Sequence, residues 1–157
     1  MKTKLNLGFT LIELLVVIAI IGLLTAIISA NFATSKSKAR DAKRASDLAQ
    51  IQLMLTQAFD KCNKYPTSIS STNTSVCSVS GSPITLGYFV STIPKETDGS
   101  SYAYAVNSSS NATDYVLSTT LENHNATLLD DDVDGTVYGI ACGSNGTNEV
   151  EYCVKPN

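Results

Sequence analysis

Three sets of residues have types and spacings suited to chemistry. The segment Asp130-Asp131-Asp132-Val133-Asp134-Gly135 contains D-x-D-x-D-G. That is the first half of an EF-hand loop, in which alternate carboxylates aim oxygens at one calcium ion. The second half fails, since Ala141 stands where the bidentate glutamate is expected and the flanks do not read as paired helices. Asp130, Asp132 and Asp134 are therefore either calcium ligands or a plain acidic turn whose crowded charges repel each other. Four cysteines, Cys62, Cys77, Cys142 and Cys153, form no C-x-x-C pair, and the lone His124 cannot complete a zinc set. An even number of spaced cysteines in a small domain reads as two disulfides. Three connectivities are open. The nearest-neighbour pairing, Cys62 with Cys77 and Cys142 with Cys153, closes the two short loops, and each bridge would contribute about 3 kcal/mol. The third set is one residue: Glu13 is the only ionisable side chain between Phe9 and Ala30. A carboxylate there costs a few kcal/mol in a bilayer unless a partner compensates it.

The elements that must position these groups follow from hydropathy. Phe9 to Ala30 as helix rises about 33 Å, close to the roughly 30 Å hydrocarbon layer of a membrane. A cleaved secretory signal would carry a shorter apolar core and an A-x-A site, and no clean one lies near Ala30 or Ala33. Past Asn31 nothing stops the helix, and the pattern turns amphipathic, with Ala45, Leu48, Ala49, Gln52, Leu55 and Phe59 forming the core-facing stripe. One helix is expected from Phe9 to Lys61, about 80 Å long, ended by the extended connection that Tyr65-Pro66 imposes. Cys62 to Pro83 reads as a polar, solvated loop. Alternation predicts strands at Tyr102–Val106 and Tyr115–Leu121, joined through a polar hairpin loop at Asn107–Asn111, with shorter strands near Thr136–Ile140 and Val150–Val154. The expected fold is α+β: a long N-terminal helix, transmembrane in its first half and amphipathic in its second, packed by a small antiparallel head with two disulfides.

Charge is segregated. Lys2 and Lys4 precede the apolar run, and Lys36, Lys38, Arg40, Lys43 and Arg44 follow it. From Cys62 onward ten acids face three lysines. An acidic head does not seek nucleic acid, and no phosphate-binding loop of the G-x-x-x-x-G-K-[ST] kind is present. The basic segment suits DNA, anionic lipid or salt bridges in an assembly; without interleaved aromatics, lipid and neighbouring subunits are favoured over DNA. The positive-inside rule is ambiguous here. Disulfides require an oxidising compartment, which places the head outside the cytoplasm. No motif puts a nucleophile near His124, so no enzymatic activity is expected. Asn73, Asn107, Asn111, Asn125 and Asn145 begin N-x-[ST] sequons, which chance produces in so polar a chain.

The stretch from Gly8 through Phe9-Thr10-Leu11-Ile12-Glu13-Leu14-Leu15 to Gly22 resembles the N-terminus of type IV prepilins and type II secretion pseudopilins. Lys38 to Arg44, Asp47 to Ile51 and Lys64-Tyr65-Pro66 resemble the next part of those chains. Ser91 to Lys95, Tyr102-Ala103-Tyr104 and Asp114 to Leu117 resemble the major-pseudopilin subgroup. Two positions depart from the family: Ala30 stands where many members carry proline, and Thr97 where the head subgroup carries one.

The resemblance implies that residues 1–8 are a leader removed by a prepilin peptidase between Gly8 and Phe9, with methylation of the new Phe9 amine. Residues 9–33 then form the transmembrane and assembly helix, 34–61 its amphipathic continuation, and 62–157 the extracytoplasmic head. It implies that Glu13 meets the Phe9 amine of a neighbouring subunit, and that calcium binds a C-terminal loop. The function implied is a structural subunit of a type IV pilus or type II secretion-like filament, a helical homo-oligomer. Its partners would be further copies, minor pilins, the peptidase, the membrane and an assembly-platform protein. The alternative is a membrane-tethered module that binds calcium or a sugar and does not polymerise.

Overall fold

A computed structural model describes residues 8–130, 132–143 and 149–156, with backbone alone at residues 27, 29–31 and 126. The expected leader, apart from Gly8, lies outside the described residues. The chain divides into two units, one ending at Ser37 and the other running from Lys38 onward.

The first unit is helical from Leu11, where α1 (Leu11–Cys62) begins. Thr10 precedes the helix and its hydroxyl accepts from the Glu13 amide, while Glu13 Oε2 accepts from both the Thr10 amide and hydroxyl, at 2.9 and 2.7 Å. This reciprocal arrangement is a capping box, which satisfies amides that the first turn leaves without helical partners. Every described large apolar side chain from Phe9 to Phe32 is exposed, from 47% at Val17 to 88% at Phe9. Among the described residues no helix is long and apolar enough to cross a membrane.

In the second unit α1 continues and supplies one wall of the core. Leu48, Ile51, Leu55 and Ala58 are fully buried and Met54 nearly so, a stripe at three- and four-residue spacing. The buried face differs from the expected stripe. Ala49 is exposed, Gln52 is half-buried, and Ile51 and Met54 carry the packing instead. The helix ends at Cys62: the Asn63 amide still reaches the Phe59 carbonyl at 2.7 Å, and the φ of 54° at Asn63 then turns the chain away. Tyr65 then stacks on Phe59 and meets Tyr115 edge-on, both at 4.7 Å between ring centroids.

The segment expected to be a solvated loop contains a hairpin, β1 (Ser75–Val79) with β2 (Ser82–Thr85). Ser80 and Gly81, with φ of 52° and 82°, make the two-residue turn whose twist matches an antiparallel pair. Val76 anchors this hairpin in the core, and Cys77 ties it to the helix end through a disulfide with Cys62, Cα–Cα 5.7 Å. The central sheet has the order β3 (Ala103–Val106), β4 (Tyr115–Thr120), β7 (Glu151–Val154), all antiparallel. Between β4 and β7 lie one short helical turn, α2 (Ala126–Leu129), and a second hairpin, β5 (Thr136–Val137) with β6 (Ile140–Ala141). The single strand expected at Thr136–Ile140 is thus two strands turned at Tyr138–Gly139. Val116 on β4 packs with the Cys142–Cys153 disulfide, Cα–Cα 5.6 Å, in a second small core.

The basic segment is turned largely onto its own head. Arg44, 13% exposed, donates to Asp41, Glu96 and Glu122. Arg40 pairs with Glu122 and Lys43 with Asp47. The Tyr102 hydroxyl also donates to Asp47, at 2.6 Å. Asp41 accepts from the amides of Glu122 and Asn123 and from the Asn123 side chain. Burial alone would raise the Asp41 carboxyl, but these donors and Arg44 outweigh it and hold it below its ordinary range. Hydrogen bonding from Arg40, opposed by burial and reinforced by Arg44, brings Glu122 down to about 2. Burial disfavours the Arg44 charge, yet its three carboxylate partners raise its pKa.

Arg44→Ala leaves the buried Asp41 and the half-buried Glu96 without their shared cation and should lower stability by about 3 kcal/mol. Arg40→Ala, at a more exposed pair, should cost clearly less than Arg44→Ala. Urea unfolding followed through the near-ultraviolet dichroism of the tyrosines measures both. Because Asp41 and Glu122 are depressed, their stabilisation is complete above about pH 5 and is lost as pH falls below about 4. Arg44→Ala should flatten that acid limb.

Candidate functional site

The acidic segment after α2 is held against β7 by main-chain bonds. The Cys153 amide donates to Asp132 Oδ2 at 2.9 Å, and the Cys153 carbonyl accepts from the Val133 amide at 3.1 Å. Two residues further on, Gly135 and Gly143 share a bond of 2.9 Å, and the Cys142 amide reaches the Gly135 carbonyl at 2.7 Å. The segment is therefore clamped at both ends by the backbone around the second disulfide.

This clamp brings Asp132 and Asp134 together with Glu149, the three contributing oxygens lying within 4.8 Å of one another. Asp130 is exposed and is not among them. Glu149, 7% exposed, enters from the chain just before β7, and nothing in local spacing links it to the aspartates. Its carboxylate passes over Gly143, where a Cβ would overlap it and where φ is +70°, so glycine is required twice over. Among the described residues, Asp132 Oδ1 and Glu149 Oε1 are buried without a hydrogen-bond partner. Burial, then the charges of Glu149 and Asp134, push the Asp132 carboxyl up to about 6 against the pull of the Cys153 amide. Buried polar atoms ordinarily find partners, and orphaned carboxylate oxygens are costly. Three convergent carboxylates with two orphaned oxygens fit a hard divalent cation bound through oxygen, and calcium is the ion whose long, flexible coordination suits them.

His124 is exposed, with Nδ1 2.9 Å from the Glu149 carbonyl. The cleft beside it, about 670 Å³, is walled by Asp41, Ala42 and Ala45 of α1 and by Asn123, Asn125 and Leu128. The N-terminal residues Gly8, Phe9 and Glu13 are all exposed. Sequence reasoning treated Glu13 as a carboxylate in need of a partner and overlooked the capping box that Thr10-x-x-Glu13 spells.

A family model described as the prokaryotic N-terminal methylation motif matches residues 3–29. The chain is 31% identical over 99 residues to the type II secretion system core protein G of Klebsiella pneumoniae, covering 60% of this chain and 71% of that protein. It is 28% identical over 106 residues to the protein of the same name from Aeromonas hydrophila, covering 65% and 74% respectively. No solved structure gives a significant match.

Glu149→Gln replaces a buried carboxylate whose Oε1 has no hydrogen-bond partner among the described residues. In chelator it should raise the stability of the full chain in detergent by about 1 to 3 kcal/mol. In millimolar calcium the wild type should gain stability and the variant should not. Differential scanning calorimetry in the two buffers reads both effects, and a wild-type melting point that ignores chelator would leave only an acidic turn.

Proposed function

Because the chain belongs to the type II secretion system core protein G family, the major pseudopilins, we propose that it is a structural filament subunit without catalytic activity. It is inserted in the cytoplasmic membrane with its head outside, cut between Gly8 and Phe9, methylated at the Phe9 amine, and assembled through α1. The observation that carries this reading is that every described large apolar side chain from Phe9 to Phe32 is exposed, in a stretch whose only ionisable residue is Glu13. A helix apolar on every side requires lipid or other helices around it. The 22 residues from Phe9 to Ala30, about 33 Å as helix, suit a bilayer first and a helix bundle afterwards.

Glu13 supports the assembly step. In the single chain both Thr10 donors fall on one carboxylate oxygen, Oε2, which leaves Oε1 for a neighbour. An incoming subunit displaced along the growth axis brings its Phe9 amine level with that oxygen. The pair is better compensated in the bundle than either charge is alone in lipid, so it selects register and favours extraction. Further copies, minor pilins, the prepilin peptidase and an assembly-platform protein are the partners this cycle needs. In the head, Asp132, Asp134 and Glu149 hold calcium, whose charge answers the buried Asp132 Oδ1 and Glu149 Oε1, which have no hydrogen-bond partner among the described residues.

Intact-mass analysis should find a mature chain that begins at Phe9 and carries one added methyl. A start beyond Ala30 would make the apolar run an ordinary signal and end the filament reading. Glu13→Ala should insert and fold normally. When mixed with wild type it should be under-represented in sheared filaments by about ten-fold or more, the factor for ~1.4 kcal/mol of lost subunit contact. Equal incorporation would show that apolar packing alone drives assembly.

A further inference from the structure

Both half-cystines of the second disulfide are fully buried, and both act on the acidic site through their backbones. The Cys153 amide fixes Asp132, and its carbonyl holds the next residue, Val133. The Cys142 amide fixes the Gly135 carbonyl, one residue beyond Asp134. Gly143, adjacent to Cys142, is the surface over which the Glu149 carboxylate lies. All three acidic side chains are thus located by groups bonded to, or next to, one covalent bridge. The other disulfide, Cys62–Cys77, makes none of these hydrogen bonds.

We propose that the Cys142–Cys153 disulfide preorganises the acidic site, so that calcium binding and closure of this disulfide are thermodynamically linked. The proposal rests on the calcium reading of Asp132, Asp134 and Glu149. With the bridge closed, the strand and hairpin backbones hold three mutually repelling carboxylates at a fixed spacing, and the cation does not have to supply that ordering. With it open, the backbone around Cys142 can separate from β7 and the carboxylates move apart. Linkage is reciprocal: whatever factor the bridge contributes to calcium affinity, calcium returns as resistance to reduction. The head would then harden in one step outside the cytoplasm, where disulfides persist.

Calcium chloride titrated calorimetrically into the full chain in detergent tests this. The double variant Cys142→Ser/Cys153→Ser should bind about ten-fold or more weakly than wild type, the usual scale for losing an outer-shell support. Cys62→Ser/Cys77→Ser should bind as wild type does. On the unmutated chain, dithiothreitol delivers two electrons and two protons to the bridge, giving two thiols and leaving as its own cyclic disulfide. Alkylation and peptide mass analysis then count open Cys142 and Cys153. Saturating calcium should shift that equilibrium toward the closed bridge by the same factor and leave Cys62–Cys77 unmoved. Should the serine variant not fold, this second measurement decides alone. Equal calcium affinities with an unshifted reduction equilibrium overturn the coupling and leave the calcium site standing, whereas a wild type that binds no calcium overturns both.

Discussion

Strand β4 has no solvent face. Five of its six residues are buried, Thr120 alone being exposed, and it is hydrogen-bonded on both edges, to β3 and to β7. Tyr115 and Leu117 belong to the core that α1 closes, while Val116 packs with the Cys142–Cys153 bridge. A half-buried strand would expose every second residue to solvent; this one does not, and its polar Ser118 and Thr119 are buried with it. Thr119 donates to Glu96, the same carboxylate that receives Arg44. The helix core, the disulfide core and the charged collar around Arg44 thus all converge on one strand, and the acidic site sits one layer beyond it.

That collar changes the meaning of the basic segment. Five cations in nine residues read in isolation as a surface for lipid or neighbours, but Arg40, Lys43 and Arg44 are engaged with acids of their own unit. Asp41, two turns before the core stripe begins in earnest, is not a charge-balancing surface residue: it caps the chain entering at Glu122 and Asn123. Of the segment, Lys36 and Lys38 stay exposed and without a resolved ion pair among the described residues. The electrostatic attraction this region exerts outward is correspondingly smaller than its composition suggests.

The local parts of this fold were legible in the residues. The uninterrupted helix, the strands at Tyr102–Val106 and Tyr115–Leu121, and both disulfide pairings follow from periodicity and from short loop closure. What was missed depends on contacts distant in sequence or on turn chemistry. Ser80-Gly81 specifies a tight hairpin, but the Ser- and Thr-rich strands around it have too weak an alternation to show it. The helical stripe was displaced toward Ile51 and Met54 because the buried arc is set by where the sheet lies, and composition leaves that arc broad. Asp132 and Asp134 were visible as alternate carboxylates; Glu149 was not, because only the return of the chain along β7 brings it to them.

The Gln52 side chain donates to the Lys155 carbonyl, a contact spanning 103 residues. During synthesis from the N-terminus, α1 is complete long before β7 exists. Until Glu151–Val154 emerge, β4 has a bare edge and the stripe at Leu48, Ile51 and Leu55 has an unfinished wall. Helix formation takes about a microsecond, whereas a ribosome adds ~5–20 residues each second. The chain therefore spends seconds as a finished helix beside an incomplete sheet, and its vulnerability to misassociation is set by elongation speed more than by the stability of the final fold.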